Sequence, residues 1–377
     1  MHIAFEAKRA FNNFTGLGNY SRFVISSLRK YYPDEEYSIF TPKLTEHSEA
    51  LSFFKENKES TIQPSGLWKL GSLKNVWRSK RIGRIAEKHD VDVFHGLSNE
   101  LPSGLKNSTK KVVTIHDLIF LRYPEFYPLI DRKIYKKKFK SACNNADEVI
   151  AVSEQTKQDI IEFFGYPEDK ISVVYQGVHP IYNQELKTRR LLYLLDHYNL
   201  HQPYFLYVGS IEDRKNAKDL VMAFKLVLNQ VKDDLLLLIV GKKTAYQAEV
   251  EKEITNLGLD HNVRIYNKTP FSDLPYLYKG ALASVYPSSF EGFGIPVLES
   301  LSVGTSVVAG NQSAMQEAGG QHALYADPKN HESLASQMIK LAEDNNFNEQ
   351  LLNNVESHLA KFTQEKIALD LMKIYKK

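Results

Sequence analysis

Residues 286–299 read YPSSFEGFGIPVLE. The apolar run 281–285 before them has strand length, and the residues at their far end favour a helix, so the stretch reads as strand, glycine-containing loop, helix. Pro296 is expected at the first helical position, where its missing N–H costs nothing. Gly292 and Gly294 let backbone approach a ligand, and the first-turn amides would seat negative charge. Two acids, Glu291 and Glu299, bracket this seat. Like charges would not both hold phosphate, so both suit hydroxyl donors. A phosphate flanked by polyhydroxylated groups, as in a nucleotide sugar, fits. Taken alone, the stretch also reads as a surface loop before an ordinary helix.

Outward from this stretch, strands and helices alternate. Strands are expected at 205–208, 235–240, 263–266, 281–285 and 306–308, and helices at 216–229, 245–257, 272–279 and 297–302. An earlier run places strands at 2–5, 37–40, 91–94, 111–115, 148–152 and 171–175, with helices at 16–30, 131–142 and 154–164. Such alternation implies parallel sheets, and two runs imply two doubly wound α/β domains facing across a cleft lined by their strands' carboxyl ends. The expected bounds are 1–185 and 186–361, then a terminal helix at 362–377. Segment 43–65 reads as polar and irregular, and 183–202 as a polar, Leu-containing connector.

Three further clusters carry chemistry. Gly16-Leu17-Gly18 opens a helix, but Ser21 replaces the third glycine of a dinucleotide fingerprint, and Thr41-Pro42 stands where a ribose-binding acid belongs. That argues against a nucleotide-dependent oxidoreductase. Gly16 and Gly18 form either a close-approach loop or a plain tight turn. His116-Asp117 ends a strand, the edge where open α/β sheets bind ligands. In GSIEDRKN from Gly209, Arg214 and Lys215 could neutralise a diphosphate without metal, or form surface ion pairs. Asp90-Val91-Asp92 has metal-binding spacing but precedes a strand's amino end, so it reads as a boundary and no metal is expected.

Composition is that of a globular chain, 43% hydrophobic and 25% charged. A single cysteine, Cys143, excludes an intramolecular disulfide and points to a reducing, cytoplasmic setting. The opening residues show no signal-peptide run, and the longest aliphatic run, 235–240, is far too short to cross a bilayer. Net charge is only +3, yet residues 68–140 carry 17 Lys and Arg against 7 Asp and Glu. That suits an anionic partner. In DRKIYKKKFKSA, residues 131–142, apolar positions sit among six cations, as on an amphipathic helix lying on anionic lipid; a solvated face is the alternative. No nucleic acid is expected.

Taken together, Gly16-Leu17-Gly18, His116-Asp117, VSEQTKQDI from Val152, GSIEDRKN, FEGFGIPVLE from Phe290 and Glu317 resemble the family 4 retaining glycosyltransferases of GT-B fold, among them bacterial mannosyltransferases of surface polysaccharides. The resemblance implies a hexose, mannose favoured, moved from a nucleoside-diphosphate sugar, GDP-mannose favoured, to a saccharide or lipid-linked acceptor. It implies Glu299 on the ribose hydroxyls and Glu291 on the transferred sugar, with Phe293, Gly294 and Ile295 offering backbone to sugar and diphosphate. Arg214 and Lys215 would steady the leaving diphosphate and His116 would touch the sugar. Gly16, Gly18 and Gly209 fall in donor-side loops, and Lys268 and Thr269 near the base. The chain departs from the pattern at Ser210, where Arg is common, and at Glu6, where Asp is common. Contact with an inner membrane face is expected through Trp68, Trp77 and residues 136–140, with Tyr123, Phe126 and Tyr127 along an acceptor groove. A non-catalytic nucleotide-sugar-binding subunit is the alternative.

Overall fold

A computed structural model describes residues 1–377. The chain divides into two compact units, Met1–Gly177 with Lys361–Lys377, and Val178–Ala360.

The first unit is built on seven strands: β1 (His2–Glu6), β2 (Glu36–Phe40), β3 (Thr61–Ile62), β4 (Val93–Gly96), β5 (Lys110–Ile115), β6 (Glu148–Ala151) and β7 (Ile171–Val173). All pairings are parallel, in the order β3-β2-β1-β4-β5-β6-β7, so the order reverses between β1 and β4. The second unit holds β8 (Tyr204–Val208), β9 (Leu236–Val240), β10 (Val263–Tyr266), β11 (Ala283–Tyr286), β12 (Val307–Gly310) and β13 (Leu324–Ala326). Its order is β10-β9-β8-β11-β12-β13, also wholly parallel, and it reverses between β8 and β11. Helices cover both faces of such sheets, which is why LLLIV in β9 is an unbroken apolar run with every residue buried.

Three stretches depart from the sequence expectation. Residues 43–65 contain a helix, Ser48–Glu56, and the edge strand β3; the helix is started by His47, whose Nδ1 accepts from the Glu49 amide, and buries Phe53. Segment 183–202 contains the helix Thr188–His197, which buries only Leu194. The first is nine residues long and buries only Ala50 and Phe53, and the second carries the apolar run LLYLL at 191–195, too short to tell helix from strand by pattern. The helix after β11 runs Ile295–Ser302 with Gly294 as its cap, which puts Pro296 in the second helical position.

The last helix, Gln364–Lys376, belongs to the first unit and lies against the helix Gly16–Tyr31. Thr363 caps it and Ile367, Leu371, Met372 and Tyr375 form its buried stripe.

Candidate active site

At the reversal in the second sheet, β8 is followed by β9 on one side and flanked by β11 on the other, so the loops leaving β8 and β11 part over a shared crevice. Those loops are 209–216 and 287–294, the two stretches singled out on chemistry. They are fastened together by Asn216, which sequence reasoning passed over. Its backbone is left-handed (φ 54°), its side chain is buried, and its amide donates to Pro287 O at 2.7 Å and Ser289 Oγ at 2.8 Å. The Ser289 amide in turn donates to Arg214 O at 2.9 Å. Asparagine tolerates this conformation better than most side chains, and an Asn at a helix start after two cations was the available signal.

Glu291 is the focus of the cluster. Its Oε1 accepts from the Tyr286 hydroxyl at 2.7 Å and Ser288 Oγ at 2.9 Å, and forms an ion pair with Arg214 Nη1 at 2.9 Å. Burial opposes its charge, but the Arg214 and Lys215 cations and the two hydroxyls prevail and hold its pKa at about 2. Arg214 also donates to Phe290 O and to Ser288 Oγ, the latter at 3.2 Å. Lys215 has no carboxylate partner; its ammonium lies 5.6 Å from the Tyr286 ring centroid. A Cβ built on Gly209 would come 3.5 Å from that ammonium, so the glycine leaves room beside it.

Glu299, two turns' span further on, stands in a different environment. The residue is 9% exposed, and its Oε2 accepts from the Tyr278 hydroxyl at 3.1 Å. Burial dominates here and pushes its pKa up to about 7 against the Tyr278 hydroxyl and the Lys215 charge. The two acids therefore differ in kind at neutral pH: one is a fixed anion, the other is close to half protonated.

Between them, Gly294 takes φ 135°, a conformation that L side chains avoid. The helix's own ladder begins with Val297 and Leu298 bonding back to Gly294 O, which leaves the Gly294 and Ile295 amides outside it. Pro296 supplies no donor. Phe293 is buried at 3% exposure and anchors the loop. Lys268 and Thr269 follow β10 at the outer edge of the sheet. Lys268 is exposed and Thr269 lies against the Tyr198 hydroxyl, and neither bonds to the Glu291 cluster.

In the first unit, His116 follows β5. Its Nε2 donates to Leu97 O at 2.9 Å, which makes Nδ1 the acceptor, and its own amide is held by Asn99 Oδ1 at 2.9 Å. Burial pulls its pKa down to about 4, so the ring is neutral at physiological pH. Gly18 is required by the chain itself, because a Cβ there would lie 1.8 Å from Asn13 O; Gly16 meets no such obstacle. Asp92 accepts from the His2 amide at 2.7 Å just before β4 begins, at the strand's amino end.

The expected membrane contacts need one correction. Trp77 is 2% exposed and packs with Phe40, Ile82 and Phe94. Arg78 beside it forms two bonds to buried Glu6, at 2.7 and 3.0 Å. An aromatic flanked by cations looked interfacial in sequence, but the Trp77 side chain itself turns into the core. Exposed instead are Leu67, Leu70, Leu73 and Val76, then Leu129, Ile130 and Ile134 on the helix Leu129–Asn145. Tyr127 packs on Phe120, and Tyr123 on Phe126. No helix is long and apolar enough to cross a membrane.

Two family models match. Residues 24–181 match "Glycosyltransferase Family 4", and residues 198–358 match "Glycosyl transferases group 1". Among curated proteins, O-antigen chain mannosyltransferase B of Escherichia coli is 28% identical over 285 residues, 75% of this chain and 74% of that protein. O-antigen chain mannosyltransferase RfbU of Salmonella typhimurium is 28% identical over 62% of this chain and 60% of its own length. Among solved structures, a glycosyltransferase from Rickettsia africae superposes with TM-score 0.76 at 20% identity, covering 100% of this chain and 97% of that one. WaaG, a glycosyltransferase involved in lipopolysaccharide biosynthesis, gives 0.71 at 15%, covering 100% and 99%. Anabaena HepE in complex with UDP and glucose gives 0.75 at 16%, covering 99% of each. These structures share the GT-B fold, two Rossmann-like domains, with the chain described above.

Proposed function

Because this chain belongs to the family 4 glycosyltransferases, we propose that it moves a hexose from a nucleoside-diphosphate sugar to a saccharide or lipid-linked saccharide acceptor in surface polysaccharide synthesis, with mannose as the sugar and GDP-mannose as the donor. The observation that carries this reading is the crevice at the β8/β11 reversal. There an ionised carboxylate, an ammonium without a carboxylate partner and the amide end of a helix stand on two loops bolted together by Asn216. The mannosyltransferase relatives support the choice of sugar.

In this reading Glu299 accepts from the ribose hydroxyls and Glu291 from a hydroxyl of the sugar, the Gly294 and Ile295 amides donate to the diphosphate, and Lys215 offsets its charge while Arg214 pairs with Glu291. His116, held neutral, accepts a sugar hydroxyl at Nδ1. The bond from the anomeric carbon to the diphosphate oxygen breaks as the acceptor oxygen bonds to the same face, and the acceptor's proton passes to the departing diphosphate. The product keeps the donor's anomeric configuration. No protein nucleophile takes part, and chelator leaves turnover unchanged because the protein's own donors carry the diphosphate charge.

A patch on the first unit supports a membrane-side acceptor. Exposed Leu67, Leu70 and Leu73 lie among Lys69, Lys74, Lys80 and Arg81, and exposed Leu129, Ile130 and Ile134 among the cations of the helix Leu129–Asn145. Glu100 ties the two segments side by side, pairing with Arg78 at 3.0 Å and Lys138 at 3.5 Å. Apolar side chains ringed by cations suit the boundary of an anionic bilayer.

A panel of nucleotide sugars tests the proposal by thermal stabilisation and slow donor hydrolysis. GDP-mannose hydrolysis abolished by Glu291→Ala, and a retained anomer with acceptor, are expected. Binding without turnover of any donor would mark a binding subunit instead.

A further inference from the structure

The two cations at 214 and 215 are adjacent in sequence but face different partners. Arg214 is mostly buried, 13% exposed in its side chain, and its Nη1 reaches three partners in the β11 loop: Ser288 Oγ, Phe290 O and Glu291 Oε1. Lys215 pairs with none of these and sits over Tyr286 beside Gly209. The Glu291 carboxylate is correspondingly lopsided. Oε1 receives Tyr286, Ser288 and Arg214, whereas Oε2 takes no donor from the protein.

We infer that Arg214 is a positioning residue: its guanidinium clamps Glu291 through Oε1 and Phe290 O, so that Oε2 is presented as the acceptor for one hydroxyl of the donor sugar, while the diphosphate is left to Lys215. The inference deepens the proposed transferase reading and rests on it. Three features support the division of labour. The three partners of Arg214, a carboxylate, a hydroxyl and a carbonyl, all converge on Nη1, which fixes that corner of the guanidinium to the β11 loop. Pulling it away would strand Glu291 as a buried anion, which is costly. A carboxylate fixed at one oxygen can point the other without paying for its own ordering when the sugar arrives. Lysine at 214 would keep the charge but lose the planar group packed against the β11 loop.

The test compares affinities for GDP and GDP-mannose, and for UDP and UDP-glucose, by calorimetry in wild type, Arg214→Gln, Arg214→Lys and Lys215→Gln. The gain in affinity from nucleotide to nucleotide sugar isolates the sugar's contacts. Arg214→Gln is expected to leave nucleotide affinity within about twofold and to remove most of that gain, whereas Lys215→Gln weakens the nucleotide itself by about tenfold or more, the size of one charge-assisted bond. Arg214→Lys keeps a cation and folds where Gln does not, yet recovers only part of the gain. In Arg214→Gln the remaining gain fades as pH falls towards 5, because Glu291 has lost its closest cation; in wild type it stays level over that range. Nucleotide affinity falling as far in Arg214→Gln or Arg214→Lys as in Lys215→Gln, with the sugar's gain intact, would overturn the inference and leave the transferase reading standing. If wild type binds neither nucleotide nor nucleotide sugar, the transferase reading falls and takes the inference with it.

Discussion

The Tyr375 hydroxyl stands 2.6 Å from His95 Nδ1, across 280 positions of sequence. His95 Nε2 lies 2.8 Å from Thr114 Oγ1, Thr114 Oγ1 lies 3.0 Å from the Tyr20 hydroxyl, and the Tyr20 ring meets His116 edge-on at 4.6 Å between centroids. The terminal helix is thus joined through a buried polar chain to the histidine at the end of β5. Burial drives the His95 pKa down to about 3, so its ring is neutral and serves as one donor and one acceptor.

Replacing Tyr375 by Phe keeps the ring and deletes one link. A buried imidazole nitrogen then lacks a partner, at a cost of about 1–3 kcal/mol. The first unfolding transition in urea, followed on the full chain, is expected to move to lower concentration. An unchanged midpoint would show that water replaces the hydroxyl at no cost.

Gly294→Ala meets two obstacles. The residue would have to adopt φ 135°, and its Cβ would lie 3.1 Å from the Ala318 Cβ. Strain of this kind costs on the order of 1–3 kcal/mol. We expect a lower Tm together with weakened nucleotide-sugar binding, because the same residue sets the amide end of the Glu299 helix. Full stability with full affinity would show that the loop relaxes freely.

With Glu299 on the ribose hydroxyls, as proposed, donor binding is expected to depend on pH. The Glu299 carboxyl's folded pKa of about 7 means that much of it is protonated at pH 6, and accepting two ribose hydroxyls requires the anion. Donor Kd is expected to rise as pH falls below 7, by at most about tenfold per unit, with proton release seen in calorimetry across buffers. Glu299→Gln flattens the profile and binds more weakly. The stability contribution runs the other way. Because the folded pKa lies above the ordinary carboxylate value, the fold holds a proton that the unfolded chain releases, so stability from this group falls as pH rises from about 4.5 to 7. Glu291, held down at about 2, contributes stability above the ordinary carboxylate range and loses it as pH falls through that range to 2.

The patch on the first unit predicts flotation with phosphatidylcholine vesicles containing phosphatidylglycerol, reduced by salt and by omission of the anionic lipid. Changing Leu129, Ile130 and Ile134 together to Ser is expected to abolish it without changing Tm, since all three are exposed. Equal recovery from neutral and anionic vesicles would retire the membrane part of the proposal.

Sequence by itself determined the parallel α/β architecture, because a strand buried on both faces must be apolar throughout, as in β9, and its covering helices must be amphipathic. It also singled out the two loops at 209–216 and 286–299, since glycines, cations and paired acids beside a strand end are a local pattern. It misread Trp77 and missed the helices Ser48–Glu56 and Thr188–His197, which bury only Ala50 and Phe53 in the one and Leu194 in the other. Only the tertiary structure decided that β8 and β11 are neighbours. That adjacency brings Arg214 to Glu291 and seats Asn216 between the loops, while burial leaves Glu299 partly protonated beside the Glu291 anion. Ion pairing and burial are properties of distance in space, and residues 77 positions apart carry no mark of it in their order along the chain.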